Sequence, residues 1–270
     1  MSYQLVKPSP PLAPYVKNYW GLSSCSEQES YHIQRIVPDG LISLYFYFND
    51  CPQVVSGKPT IEHSVFISGQ INQAYDLRVG DSIQLFAITF QPLGAFYLFG
   101  KPVHELFNNC VSFQSWCGFS ITFLEDKLFE ATTFEQRVKI MEVFLIQQMQ
   151  ASTNLLSYSR MNSSIDLIHE NAGQMGLQDL AGKACLSPKH YQRLFNECIG
   201  ITPKGYLRIV RFQQALLIKQ FNSTIDLTTL AYQCNYYDQA HMINDFKKLT
   251  GLTPGKYFSQ CDPYSDYFND

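Results

Sequence analysis

The strongest constraint on this chain is an internal repeat in its last third. Leu177-x-x-Leu180-Ala181 returns as Leu227-x-x-Leu230-Ala231, 50 residues later. Gly200-Ile201-Thr202-Pro203-x-x-Tyr206 returns as Gly251-Leu252-Thr253-Pro254-x-x-Tyr257, 51 residues later. Self-similarity at a fixed period means a duplicated supersecondary unit. The single extra residue falls in the turn inside the second copy.

Each copy has the physics of a helix-turn-helix. In copy one, Leu177, Leu180, Ala181 and Ala184 give a short helix with one apolar face, and the small Ala181 lets a second helix cross closely. The pattern breaks at Cys185-Leu186. Ser187 then suits an N-cap, with Pro188 at the first helical position, where a missing N–H costs nothing. Tyr191, Leu194, Phe195 and Cys198 share the inward face of this second helix. In copy two, Asp226 and Asp238 are the candidate caps, and Asn235 sits in the turn, where Asn tolerates left-handed backbone. Met242, Phe246 and Leu249 face inward.

The outward faces are polar. Copy one presents Ser187, Lys189, His190, Gln192, Arg193 and Asn196; copy two presents Gln239, Ala240, Ile243, Asn244 and Lys247. Arg193 suits a bidentate contact to guanine, Gln192, Gln239 and Asn244 suit adenine, and Ile243 suits a thymine methyl. Each Thr-Pro step starts a further helix, whose amides and nearby Lys204, Arg208 and Arg211 suit phosphates. For any one of these residues, a solvated helix face is the competing reading. The duplicated pattern as a whole is what favours double-stranded DNA as partner.

Residues 162–260 resemble the AraC/XylS family of bacterial transcription regulators. The matching stretches are Leu180-Ala181 to Ser187-Pro188, Arg193-Leu194-Phe195, Gly200-Ile201-Thr202-Pro203-Lys204-Gly205-Tyr206, and Phe246-Lys247-Lys248-Leu249-Thr250-Gly251-Leu252-Thr253-Pro254. The resemblance implies two helical subdomains, at about 177–199 and 227–250, joined by a long helix from about Pro203 to Lys219. It also implies recognition helices entering successive major-groove segments roughly 34 Å apart. Two departures stand out. The second turn reads Asn235-Tyr236 where the family has Gly-Phe, and an Arg common near Asn244 is absent. Copy one therefore reads as the stronger base reader.

The first half reads β-rich. Leu41–Phe48 is strand-like and Val65–Ser68 is a short apolar run. Tyr75–Val79, Gly80-Asp81 and Ser82–Phe90 suggest a hairpin with a tight turn. Thr132-Thr133-Phe134-Glu135 is a capping-box pattern, followed by an amphipathic stripe to about Gln150. The expected fold class is α+β: a β-rich domain over 1–150, a Ser-rich linker over 151–161, and an all-α domain over 162–260. Pro38-Asp39-Gly40-Leu41, Phe66-Ile67-Ser68-Gly69 and Phe90-Gln91-Pro92-Leu93-Gly94-Ala95 loosely resemble the sensor domains that precede such DNA-binding units, which implies a cupin-like domain. Trp20, Tyr45, Phe46, Tyr47 and Phe48 form either a plain core or the lining of a small-molecule site. Arg35, Asp39, Tyr45 and Tyr47 are the candidate ligand contacts. Met141, Phe144 and Met149 form either a homodimer contact or part of their own core.

Charge is distributed unevenly. Residues 1–159 hold 9 Lys and Arg against 13 Asp and Glu, residues 160–258 hold 11 against 7, and the last twelve hold three Asp. Only the middle block has the sign a phosphate backbone attracts. The eight cysteines form no CxxC pair, so reduced thiols are expected, with 185, 198 and 234 in helical cores. His32, His63 and His104 are too dispersed for a metal site, and no cofactor is expected. No Gly-x-Ser-x-Gly, P-loop or Gly-x-Gly-x-x-Gly occurs, and neither does the Pro-Cys-His-Arg acceptor of DNA-alkyl repair. No enzyme activity is therefore expected. No apolar run is long enough to span a membrane, and the first residues lack a secretory pattern. The expectation is a cytoplasmic regulator of promoter DNA that senses a small molecule or a partner, and that meets RNA polymerase if it activates.

Overall fold

The computed structural model describes residues 2–24, 31–80, 82–152 and 155–260. Among these residues the first part holds nine strands, the last of them after the first helix: β1 (Ser2–Val6), β2 (Val16–Ser24), β3 (Tyr31–Ile36), β4 (Ser43–Tyr47), β5 (Gln53–Ser56), β6 (Val65–Ser68), β7 (Tyr75–Gly80), β8 (Ile83–Phe90) and β9 (Cys110–Ser112). They form two antiparallel sheets, six strands in the order β1-β2-β8-β4-β6-β9 and three in the order β3-β7-β5. The period-two alternation of strands sorts the side chains. On β8, Ile83, Leu85 and Ala87 face one way, while Phe86, Ile88 and Phe90 face the other. Trp20, Tyr45, Tyr47 and Phe66 join the first group; Tyr19, Leu44, Phe46 and Ile67 join the second. The first group meets Tyr75, Leu77 and Val79 of the small sheet. The second is covered by α1 (Gly94–Phe99), α3 (Thr122–Glu130) and α4 (Phe134–Ala151), with α2 (Phe113–Cys117) beside β6 and β9.

Three expectations change here. β7 and β8 are not a hairpin: β7 pairs with β3 and β5, and β8 with β2 and β4. The chain turns a corner between sheets because both strands bury apolar side chains toward a shared interior. The cap of α4 is Thr133, one residue later than the motif suggested, and Gln136 closes the capping box. The Ser-rich stretch is not an irregular linker, because α5 (Leu155–Glu170) starts at its centre. Met161 and Ile165 are buried, so tertiary packing overrides the weak helix preference of serine. Met141 is fully buried, and Phe144 and Met149 pack against the same core, so the stripe on α4 serves its own domain.

The repeat folds as two helix-turn-helix units, α6 (Leu177–Lys183) with α7 (Pro188–Ile199) and α9 (Leu227–Gln233) with α10 (Gln239–Thr250). Between them runs α8 (Pro203–Phe221), and α11 (Pro254–Gln260) follows. The turns are superimposable in their bonding. Cys185 and Asn235 both have φ 54°. The next amides, of Leu186 and Tyr236, both donate to an alanine carbonyl, Ala181 and Ala231, at 2.9 Å. This is the six-to-one bond of a Schellman ending. Cys185 is exposed rather than in the core, while Cys198 and Cys234 are buried.

A side chain with a Cβ is strained in the left-handed region, and Asn tolerates it best. Cys185→Asn, copying position 235, is therefore expected to stabilise the chain by a few tenths to about 1 kcal/mol. The urea midpoint should rise at unchanged slope.

Candidate nucleic-acid interface and cavity

The recognition helices α7 and α10 start at capped ends. Ser187 accepts from the amide of His190 at 3.3 Å, and Asp238 from that of His241 at 2.7 Å. Lys189, His190, Gln192 and Arg193 are exposed, as are Ala240, Asn244 and Lys247; Ile243 is half-buried. Gln239 is tied down, since its side-chain oxygen accepts from the Thr228 hydroxyl at 3.0 Å. Each helix ends at a left-handed glycine, Gly200 with φ 89° and Gly251 with φ 76°.

One exposed aromatic lies among these groups that the sequence reading had not singled out. The extra residue of the second copy is Tyr237, between the turn residue Tyr236 and the cap Asp238. Its side chain is 88% exposed. The signal was the shift from 50 to 51 residues, which marks an inserted residue beside the start of α10.

Arg208 and Arg211, expected at phosphates, are both paired with a buried acid, while Arg208 also lines the cleft that holds Lys204. Asp245, on the inner face of α10 and only 3% exposed, draws both inward. Its carboxylate meets Arg208 Nε at 3.0 Å and Arg211 Nη2 at 3.7 Å, with His241 Nε2 at 3.8 Å. Arg211 also donates to the Gly173 carbonyl at 3.0 Å. A buried carboxylate needs such partners. Asn196 and Lys204 line a cleft of about 480 Å³ between α7, α8 and the β-rich domain, which contributes Asn72 and His104. Lys204 is exposed there, and Asn196 is half-buried.

The β-rich domain grips the far ends of both recognition helices. The amide of Val103 donates to the Glu197 carbonyl at 2.9 Å, in the last turn of α7. The amide of Ala74 donates to the Leu249 carbonyl at 2.7 Å, in the last turn of α10. Gln213 Nε2, on α8, donates to the Pro38 carbonyl at 2.6 Å. A Cβ on Gly40 would lie 3.3 Å from the Tyr206 ring and 3.4 Å from Ile209, so the Pro38-Asp39-Gly40 turn sits tightly on α8.

Between the two sheets lies a cavity of about 90 Å³. Asp39, Tyr45 and Tyr47, three of the candidate ligand contacts, line it, with Ser43, Tyr75 and Thr89. Arg35 does not. Its guanidinium pairs with Asp76 at 2.7 and 2.9 Å and reaches the Thr250 carbonyl at 3.4 Å, so it belongs to the contact between domains. Burial raises the Asp39 carboxyl above the usual carboxylate range and holds the phenols of Tyr45, Tyr47 and Tyr75 neutral. Among the described residues, no His, Cys, Asp and Glu cluster could hold a metal ion, and no helix is long and apolar enough to cross a membrane.

Two capped helix-turn-helix units on one bridging helix, with their recognition-helix starts turned outward, define the tandem helix-turn-helix class. Residues 180–260 carry a helix-turn-helix domain of the AraC type. Residues 180–260 match the family model described as a helix-turn-helix domain, and residues 4–112 match a domain of unknown function, DUF6597. The chain is 24% identical over 177 residues to the uncharacterized HTH-type transcriptional regulator YtdP of Bacillus subtilis (strain 168), covering 61% of this chain and 22% of that protein. It is 23% identical over 130 residues to the arabinose operon regulatory protein of Escherichia coli (strain K12), covering 46% and 44%. It thus spans less than half the length of these curated relatives. Among solved structures, ToxT from Vibrio cholerae O395 is similar at 11% identity and a TM-score of 0.48, over 97% of this chain and 99% of that one.

Removing one partner of a buried charge cluster strands the others. Asp245→Ala is expected to destabilise the chain by about 3 kcal/mol, because Arg208 and Arg211 retain some access to water. Asp245→Asn, which keeps shape and hydrogen-bonding capacity, should cost less. Urea unfolding of both variants measures the difference.

Proposed function

We propose that the chain is a DNA-binding transcription regulator whose β-rich domain senses a small molecule. The observation that carries the reading is the duplicated pair of capped recognition helices with exposed polar starts on a locally basic domain. Such helices read base edges in the major groove, while amides and lysines fix register on the phosphates. Arg193 and Gln192 are the main base readers on α7. On α10, Ala240, Ile243 and Asn244 supply methyl packing and one amide, and Tyr237 adds an aromatic at the groove edge. The descriptions of the curated relatives as transcription regulators support this role and suggest no catalysis. Promoter DNA in the bacterial cytoplasm is the partner proposed, with RNA polymerase added if the chain activates.

The grip of the β-rich domain on both recognition helices supports an effector role for the cavity. The turn that lines the cavity with Asp39 also carries the contacts of Pro38 and Gly40 to α8. A ligand that prefers one position of this turn would bias the setting of the two units by its difference in affinity.

The test is selection of bound sites from random duplexes by the full chain, followed by titrations at several salt concentrations. Arg193→Ala should cost roughly 1–3 kcal/mol at the selected site and relax preference at one base. Lys204→Ala should weaken all duplexes alike and lower the salt slope by about one. Absence of any salt-sensitive duplex binding would refute the reading.

A further inference from the structure

The lining of the cavity between the sheets combines polar and apolar groups, with Gln34 and the tyrosines Tyr45, Tyr47 and Tyr75 among them. One polar group is bonded together: Trp20 Nε1 donates to the Thr89 hydroxyl at 3.2 Å, and the Ser43 hydroxyl donates to the same oxygen at 3.3 Å. Asp39 lines the cavity with this group, with its Oδ1 accepting from the Leu41 amide at 2.9 Å. The remaining lining is largely aliphatic, including Leu22, Leu77, Val79 and Leu85. Among the described residues, no Lys, Arg or His lines the cavity, and Asp39 is the one carboxylic acid there. Lys17 favours the ionised form of Asp39 from outside the lining.

This lining selects by charge. An anionic ligand would be brought beside a carboxylate with no cation in the wall, and two carboxylates in one dry site disfavour each other's ionisation. A neutral ligand would leave Asp39 protonated or dependent on Lys17, outside the lining, for its counter-charge. An ammonium group makes charge-assisted hydrogen bonds to Asp39 and ordinary ones to hydroxyls such as that of Ser43. The aromatic walls favour a hydrogen-bonded head over a methylated cation in a cage, because Tyr45, Tyr47 and Phe66 stack on one another at 5.0 to 6.4 Å and cover each other's faces. Size limits the tail. A cavity of about 150 Å³ accepts benzene, so 90 Å³ calls for a ligand smaller than benzene.

We infer that the effector of this domain is a small primary amine with a short apolar tail, held by Asp39 in the wall of the cavity. The inference rests on the reading of the β-rich domain as a sensor and names the chemistry of its ligand. Burial raises the Asp39 carboxyl in the empty site, and the bound ammonium favours its ionised form. The head group then sits one residue from both Pro38 and Gly40, whose carbonyls accept from Gln213 at 2.6 Å and from Gln70 at 2.7 Å. Occupancy thus acts on the turn that touches α8.

The experiment is a thermal-shift titration of the full chain with n-butylamine, 1-butanol and propionate, which have equal numbers of non-hydrogen atoms, at fixed pH and ionic strength. Butylamine should raise Tm by roughly 2–4 °C at about ten times its Kd. 1-Butanol should give a smaller shift and propionate none. Asp39→Asn should weaken butylamine about tenfold or more while leaving the response to 1-butanol in place, which also reports that the variant is folded. The amine assignment is overturned if propionate or 1-butanol stabilises as well as butylamine, if Asp39→Asn binds butylamine as the parent does, or if none of the three shifts Tm. In the first two cases the cavity still binds a ligand and the sensor reading stands. Silence toward the panel and toward pooled metabolites, together with unchanged duplex binding in their presence, would remove both.

Discussion

The last turn of an α-helix leaves carbonyl oxygens without intrahelical donors. In both recognition helices of this chain, the β-rich domain supplies a donor, through the amides of Val103 and Ala74. These two bonds come from separate segments of the same domain, one just before the 3₁₀ turn at His104–Leu106 and the other just before β7. The two helix-turn-helix units are therefore held through their buried ends while their capped starts remain outward. Arg35 reinforces the second contact, and Gln213 with Tyr206 and Ile209 ties the bridging helix to the Pro38-Asp39-Gly40 turn.

The core has the same continuity. Buried side chains run without a polar break from Phe46, Phe86 and Leu145, through Met161 and Ile168 of α5, to Phe195, Phe212 and Phe246. A second, smaller cluster fills the space between the sheets around the cavity. The division is physically coherent. The large cluster fixes the position of the helical units, and the small one surrounds the space in which a ligand would act. The loop bearing Asp39 belongs to both.

Asp245 illustrates how one buried charge redistributes surface chemistry. On sequence grounds, Arg208 and Arg211 fitted the phosphate contacts that follow a Thr-Pro helix start. In the folded chain, the carboxylate on the inner face of α10 takes them into the joint between α8 and the second unit. Lys189, Arg193, Lys204 and Lys247 remain exposed on and beside the recognition helices. The second recognition helix gains rigidity at the joint and an exposed Tyr237 at its start.

Local chemistry was legible in the sequence. The repeat, the caps at Ser187, Thr202, Asp226 and Asp238, the left-handed Asn235, and the inward faces of α7 and α10 all follow from spacing and backbone preference, which act over a few residues. Alternation on β4 likewise puts Tyr45 and Tyr47 on one face, whereas Asp39 lies in a turn, where no such pattern applies. What only the tertiary structure decided depends on contacts between distant segments. β7 and β8 look like a hairpin until the partners of each strand are known. Residues 155–161 look like a linker until Met161 is buried. Arg35 looks like a ligand contact until Asp76 and Thr250 lie beside it. Spacing along the chain carries no information about which distant backbone carbonyl a donor will meet, so the grip of the β-rich domain on the two recognition helices could emerge only from the assembled fold.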